Sequence, residues 1–541
     1  MAIPKRFLIL SASALTFYTT RYAPQLAISS RSYFWNITSL FFIQWFAQLA
    51  WQIIVYPLFL SPLRHLPQPP NANPILGHFK RIFKEPTGEP QRDWIDTVKN
   101  DGVLYYRFLF NEPRVFVTTP RAIAEVLVQR NYEFIKPARL RTGLGRVLGI
   151  GILLAEGDEH KRQRKLLMPA FSFRHVKDLY PIFWDKSKEM TNTISKHIKS
   201  SPDESSVVEI REWASRATLD IIGLAGCGRD FEALADPDSP LNLTYKSIFA
   251  SGRGAQLVQL FLNMLPFWLV KALPLKRNDE IGKAVATIKS TARDLIAEKR
   301  KKMEKGESKQ VDILSVAMES GGFSDEDLVN QLMTFLAAGH ETTASAMSWA
   351  VYLFCKHPEV QAKLREEIRE HLDLNGEINS ADIDRLPYLN AVLNEVNRIF
   401  PPVPLTIREA AHDTTIQGHF IPASTTVIIC PWAINTSKHL WGDDAREFKP
   451  ERWLGPGRAN TGGAESNYAI TTFLHGPRSC IGQGFAKAEF ACLVASLVGR
   501  FEMEFEGGDW ELQIQGGITA RPKGGLRVRM RDVEEGEEVG A

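Results

Sequence analysis

The sequence predicts an α-rich α+β domain behind an N-terminal membrane anchor. Helix-period patterning dominates from about Asp93 to Phe400. Strand-like pieces are few: Val103 to Phe108 and Val115 to Thr118 early, then Thr414 to Ile416 and Thr425 to Cys430 after the last long helix. Many helices with a small late sheet is an α+β pattern. Leu40 to Leu60 is apolar and uncharged, and prolines follow it.

Taken in order, residues 1–60 form the anchor region. Phe7 to Thr20 follows Lys5 and Arg6 and is short for a span, whereas 40–60 has the length a bilayer core requires. A cleaved signal peptide would explain the first stretch but not the second. Arg64, His65, Lys80, Arg81 and Lys84 follow, which puts the next domain on the cytoplasmic side. With Lys5, Arg6, Arg21 and Arg31 before the span, a hairpin with both ends in the cytosol fits the charges better than a single span. Gln44, Gln48 and Gln52 share one helical face. This face is read as lying in the membrane interface rather than as making interhelical hydrogen bonds. Pro62, Pro67, Pro69, Pro70 and Pro74 make 61–75 a stiff hinge. Residues 76–531 read as one large domain, and 532–541 as an acidic, disordered tail. The apolar stretches Leu257 to Leu265 and Phe267 to Val270 suit an access channel, a membrane-facing surface or core packing. A net charge of +3 over 541 residues gives no reason to invoke nucleic acid. Five scattered cysteines, with no C-x-x-C pair, argue against a disulfide framework and for a reducing compartment.

One cysteine stands apart. Phe473 to Gly482 reads F-L-H-G-P-R-S-C-I-G, with an apolar helical pattern from Ile481 onward. Cys480 therefore lies at a helix N-terminus, where free N–H groups and the dipole favour a thiolate. Gly476 and Gly482 allow close approach of the backbone to a flat cofactor. The bland alternative is an ordinary buried thiol. The turn resembles the heme-binding signature of the cytochrome P-450 family, F-x-x-G-x-R-x-C-x-G, at every fixed position, Phe473 and Gly482 included. The resemblance implies heme b, with Cys480 as the axial ligand of the iron and Arg478 paired with a propionate.

A second segment joins it. Ser324 with Asp325, Glu326 and Asp327 reads as a helix start, and Pro358 prevents extension beyond Lys356. In its middle lies Ala338-Gly339-His340-Glu341-Thr342-Thr343. A hydroxyl there can bond back to a carbonyl one turn earlier and loosen the helix. The segment is similar to the family's distal-helix motif A-G-x-E-T-T. By that likeness Thr342 hydrogen-bonds bound dioxygen, Glu341 belongs to the proton relay, and Ala338 and Gly339 leave room above the iron. His340-Glu341 also begins like H-E-x-x-H, but residue 344 is alanine and supplies no second zinc ligand.

Glu395 and Arg398 share one face of a helix ending at Phe400, and Pro450-Glu451-Arg452-Trp453 brings a second arginine. They resemble the family's E-x-x-R helix and P-E-R-F segment, with Trp for Phe, which implies that Glu395, Arg398 and Arg452 form a buried structural triad. His160 and Arg164 share a helix face and resemble the W-x-x-x-R propionate helix, with His for Trp. The same helix would face a reductase, through residues such as Lys161 and Lys165.

The resemblance spans nearly the whole chain in family order. It implies a monooxygenase on the endoplasmic reticulum membrane, its catalytic domain in the cytosol. Electrons would come from NADPH through a separate cytochrome P-450 reductase, with cytochrome b5 as a further donor. O2 and a lipophilic small molecule would be the substrates. Two rivals stand beside it: a heme-thiolate isomerase or dehydratase that does not activate O2, and a non-enzymatic membrane-tethered heme carrier or sensor.

Overall fold

A computed structural model describes residues 5–28, 32–201, 205–249, 258, 261–262, 265, 267–306, 312–508 and 510–533. The expectation for Leu257 to Leu265 falls mostly outside these residues, as does the tail from 534 onward. Helices Lys5–Tyr22 and Tyr33–Ala50 pack as an antiparallel pair. Ser11 Oγ donates to Gln44 Oε1 at 2.8 Å, and Thr20 Oγ1 to Tyr33 Oη at 2.7 Å. Gln44 thus makes an interhelical bond, and the interface reading of its face is corrected: a polar group on an apolar helix takes a polar partner on its neighbour. Among the described residues, one helical stretch, Tyr33–His65, is long and apolar enough to cross a bilayer.

The hinge is tied down. Leu63 and Leu66 are buried, Tyr105 N–H donates to Pro67 O at 2.9 Å, and the His78 ring lies within hydrogen-bond reach of Pro69 O. The strand order of the main sheet is Val103–Arg107, Pro113–Val117, Thr426–Ile429, Thr406–Ala410, Phe134–Ile135, parallel only between the second and third. Thr406–Ala410 is absent from the sequence reading because the preceding Pro-Pro-Val-Pro run masks it. A second sheet joins Ser205–Glu209, Arg527–Asp532 and Phe501–Phe505. Asp532 therefore closes a strand opposite Phe501 instead of opening the tail.

The long helix runs Asp325–Lys356, starts with a capping box between Ser324 and Asp327, and stops at His357 before Pro358. It lies in the core, between helix Ile210–Cys227 and helix Gln483–Arg500. Helix Gly157–Leu167 packs nearby, with Gln331 Nε2 donating to Gln163 Oε1 at 2.8 Å. In helix Phe267–Ala272, Trp268 is exposed and Val270 buried. That segment therefore serves both core and surface.

Candidate cofactor site

The cysteine turn is built by backbone closure. Cys480 N–H donates to Phe473 O at 2.8 Å, so the residues between form a tight loop. Gly476 has φ +75°, and a side chain there would strike the Leu127 carbonyl. Its smallness serves close approach to the Leu127 backbone. The following helix begins at Gln483 with Gly482 as its cap, so Cys480 precedes the first turn by two residues more than the sequence suggested. Burial raises the Cys480 pKa, and the Gly482 N–H and Arg164 only partly oppose this. Cys480 is nonetheless exposed, unlike buried Cys227, Cys430 and Cys492.

Beside the turn lies a buried cationic group. Arg478 donates to Asn131 O (2.8 Å), Phe134 O (2.7 Å) and Glu156 Oε1 (2.5 Å), and its Nε has no partner among the described residues. Arg164 Nη1 donates to Ser479 O at 2.6 Å. Lys136 stands 3.6 Å from Glu156, and Arg408 bonds only Thr406 Oγ1 and Ile407 O among the described residues. His160 Nδ1 and the Tyr132 hydroxyl share a 3.1 Å hydrogen bond. Glu156 is the one carboxylate ion-paired here among the described residues. Desolvation, then the neighbouring arginines, hold Lys136 well below its ordinary value and bring Arg408 down to about 9. Burial, with Lys136 and Arg478 next, lowers His160 to about 4. Such a cluster is short of negative charge.

The long helix supplies the opposite kind of surface. From Gln331 to Phe354 every residue is buried except Ala338, Gly339 and Thr342. Positions 338, 339 and 342 lie on one face. Thr342 Oγ1 donates to Ala338 O at 2.9 Å, the back-bond to the preceding turn that the sequence suggested. A side chain at Gly339 would come within 2.8 Å of Ile222, so this glycine also lets helix Ile210–Cys227 approach. Thr343 Oγ1 donates to buried Glu489 Oε2 at 2.7 Å, joining this helix to the one that follows Cys480. Glu341 turns away from the open face. It accepts from Arg211 Nη2 (3.0 Å), Arg521 Nη1 (2.9 Å) and Thr519 Oγ1 (3.1 Å).

Glu395, Arg398 and Arg452 meet at full burial. Arg398 makes a bidentate pair with Glu395 (2.7 and 2.8 Å), and Arg452 Nε donates to Glu395 Oε1 at 3.1 Å. Arg398 also donates to Asn435 O, Ala445 O and Glu447 O, pinning the loop that leads to Arg452. Tyr132, Lys136 and Glu156 come from separate segments and carry no local pattern, so no sequence signal marks them; Arg408 is marked by the Pro-Pro-Val-Pro run before it, which does not by itself make it a site residue.

The group this geometry suits is anionic at one edge, flat, and a metal carrier at its centre. An open thiol, surplus buried cations and an open patch of small residues fit a heme with its two propionates. Residues 67–528 match the family model described as Cytochrome P450. The chain is 50% identical over 500 residues to the cytochrome P450 monooxygenase sphH of Aspergillus fumigatus, covering 90% of this chain and 92% of that protein. It is 42% identical to the cytochrome P450 monooxygenase FUM15 of Gibberella moniliformis, covering 90% and 91%. It is also 42% identical to the cytochrome P450 monooxygenase ALT8 of Alternaria alternata, covering 90% and 92%. The fold and site thus define a heme-dependent oxygenase. The chain belongs to the cytochrome P450 family and is a monooxygenase.

Proposed function

We propose that this chain is a membrane-anchored monooxygenase that uses heme b to place one oxygen atom of O2 in a lipophilic natural product, lipid or xenobiotic. The other atom leaves as water, with two electrons supplied by NADPH through a separate reductase and cytochrome b5 as a further donor. Residues 1–60 anchor it in the endoplasmic reticulum membrane and 61–75 lead to a cytosolic catalytic domain of 76–531. The apolar helical stretch Tyr33–His65 and the basic residues after it support this placement.

The observation that carries the reading is the confined opening at Ala338, Gly339 and Thr342 in the otherwise buried stretch Gln331 to Phe354 of the long helix. Cys480 would hold the heme iron, and Phe473 and Gly482 would shape the turn beneath it. Arg478, Arg164 and His160, with Lys136 and Arg408, would hold the propionates. The bound heme supplies oxygen binding and activation, which no side chain here provides. Thr342 Oγ1, which donates to Ala338 O, would hold a proton at the open face. Glu341, held by Arg211, Arg521 and Thr519, would belong to the proton relay.

The test is turnover by the full chain in membranes with reductase, NADPH and isotopically labelled O2, screened against lipophilic metabolites. A product heavier by one labelled oxygen is expected. Products formed without O2 or NADPH would contradict the reading.

A further inference from the structure

The tryptophan that the family pattern has at position 160 would present an indole N–H, a group that only donates. This chain has His160 there. Burial, then the cations around it, keep that ring neutral near pH 7. A neutral imidazole carries its one proton on either nitrogen. In one tautomer Nε2 donates; in the other it offers a lone pair, which repels a carboxylate. Histidine therefore does the work of tryptophan here only if a neighbour fixes the proton.

Tyr132 is that neighbour. Its hydroxyl lies 3.1 Å from His160 Nδ1, with the ring centroids 5.9 Å apart. Among the described residues this is the only side-chain hydrogen bond of His160. The tyrosine is carried on a pinned segment. Arg478 Nη1, from the cysteine turn, donates to the carbonyls of Asn131 (2.8 Å) and Phe134 (2.7 Å), on either side of it. The Glu133 carbonyl accepts from Ala411 N–H at 2.8 Å, and the Glu133 carboxylate from Thr414 Oγ1 at 2.9 Å. Lys161 Nζ stands 4.8 Å from the Tyr132 ring centroid, and the Arg478 guanidinium carbon 5.9 Å. Both cations are donors only, so the phenol proton finds its acceptor in Nδ1 rather than in them.

We propose that Tyr132 is a positioning residue for the cofactor. Its hydroxyl donates to His160 Nδ1, so the imidazole proton stays on Nε2, and that N–H serves a heme propionate. Histidine and tyrosine together thus replace one indole. The proposal rests on the reading above that His160 faces a propionate.

The test follows heme transfer from the full chain to excess apomyoglobin by absorbance. Tyr132→Phe keeps the ring and loses only the hydroxyl, and should release heme about fivefold faster. His160→Trp, whose indole needs no partner, should release heme as slowly as the unmodified chain, and adding Tyr132→Phe to it should change nothing. No effect of Tyr132→Phe alone, or the same acceleration in both backgrounds, overturns the pairing. A second readout holds even where a variant folds poorly. In nuclear magnetic resonance of the reduced, carbon monoxide-bound enzyme with nitrogen-labelled histidine, the His160 signal is assigned by its loss in His160→Gln. It should show a protonated Nε2 and a bare Nδ1; a proton on Nδ1 overturns the proposal. A His160→Ala variant that keeps heme as tightly as the unmodified chain refutes the propionate reading itself, a result distinct from both.

Discussion

Trp453 Nε1 donates to Glu395 Oε2 at 2.8 Å, giving the buried carboxylate a fourth donor residue beside Arg398, Arg452 and the Lys449 backbone N–H. Tryptophan stands where the family pattern has phenylalanine, and its indole makes a bond that phenylalanine could not. It adds a charge-assisted hydrogen bond without adding another buried charge. The Trp441 ring completes the arrangement, 4.7 Å from the Arg398 guanidinium carbon.

Removing the carboxylate strands two buried guanidinium groups. Glu395→Ala should cost about 3–5 kcal/mol and yield insoluble or heme-free protein. Trp453→Phe should lower stability by only about 1–3 kcal/mol and retain heme. Thermal denaturation with heme quantitation checks both. A soluble, fully loaded Glu395→Ala protein would remove the triad from any role in heme retention.

The open helix face should matter for coupling rather than binding. Thr342→Ala should keep heme and substrate binding but divert reducing equivalents to peroxide, seen as NADPH consumed in excess of product. Unchanged coupling would exclude Thr342 from proton handling.

Glu341 should show a structural and a catalytic effect that separate by substitution. Glu341→Ala leaves Arg211 and Arg521 without their carboxylate and should destabilise by about 3–5 kcal/mol. Glu341→Gln retains an acceptor for both, so it should fold more stably than Glu341→Ala yet turn over more slowly than the unmodified enzyme. Equal stability of the two variants would mean that the arginine pairing contributes nothing.

His160 makes the heme-free chain acid-sensitive. Its folded pKa of about 4 lies below the ordinary 6.5, so above 6.5 it is neutral in both states and costs nothing. As pH falls from 6.5 toward 4 the unfolded chain takes the proton first, and folded stability is lost. Between pH 7 and 5 this amounts to about 2 kcal/mol. Denaturation of heme-free protein should show that loss reduced in His160→Gln, and heme should flatten the slope by bringing two anions to the cluster. An identical pH slope in His160→Gln would refute the assignment.

What the sequence made legible was what lies close together in the chain. The cysteine turn, the capped long helix and the Glu395–Arg398 pair are each set by neighbours within one or two turns. The propionate-side cluster was not legible, because Tyr132, Lys136, Glu156 and Arg408 converge only when the strands at 134–135 and 406–410 pair. Gln44 was misread for a related reason. A glutamine on an apolar helix looks the same facing an interface or facing Ser11, and only the packing of the first two helices decides. Gly476 carried the right conformational signal, but not which backbone it admits.

A bond between the Cys480 thiolate and heme iron would show in the spectrum of the reduced, carbon monoxide-bound protein. Freshly purified, fully loaded enzyme should show the red-shifted Soret band of a ligand trans to thiolate, and Cys480→His should lose it while retaining heme. Undamaged enzyme with an unshifted band, or a Cys480→His variant that keeps the shifted one, would contradict the account.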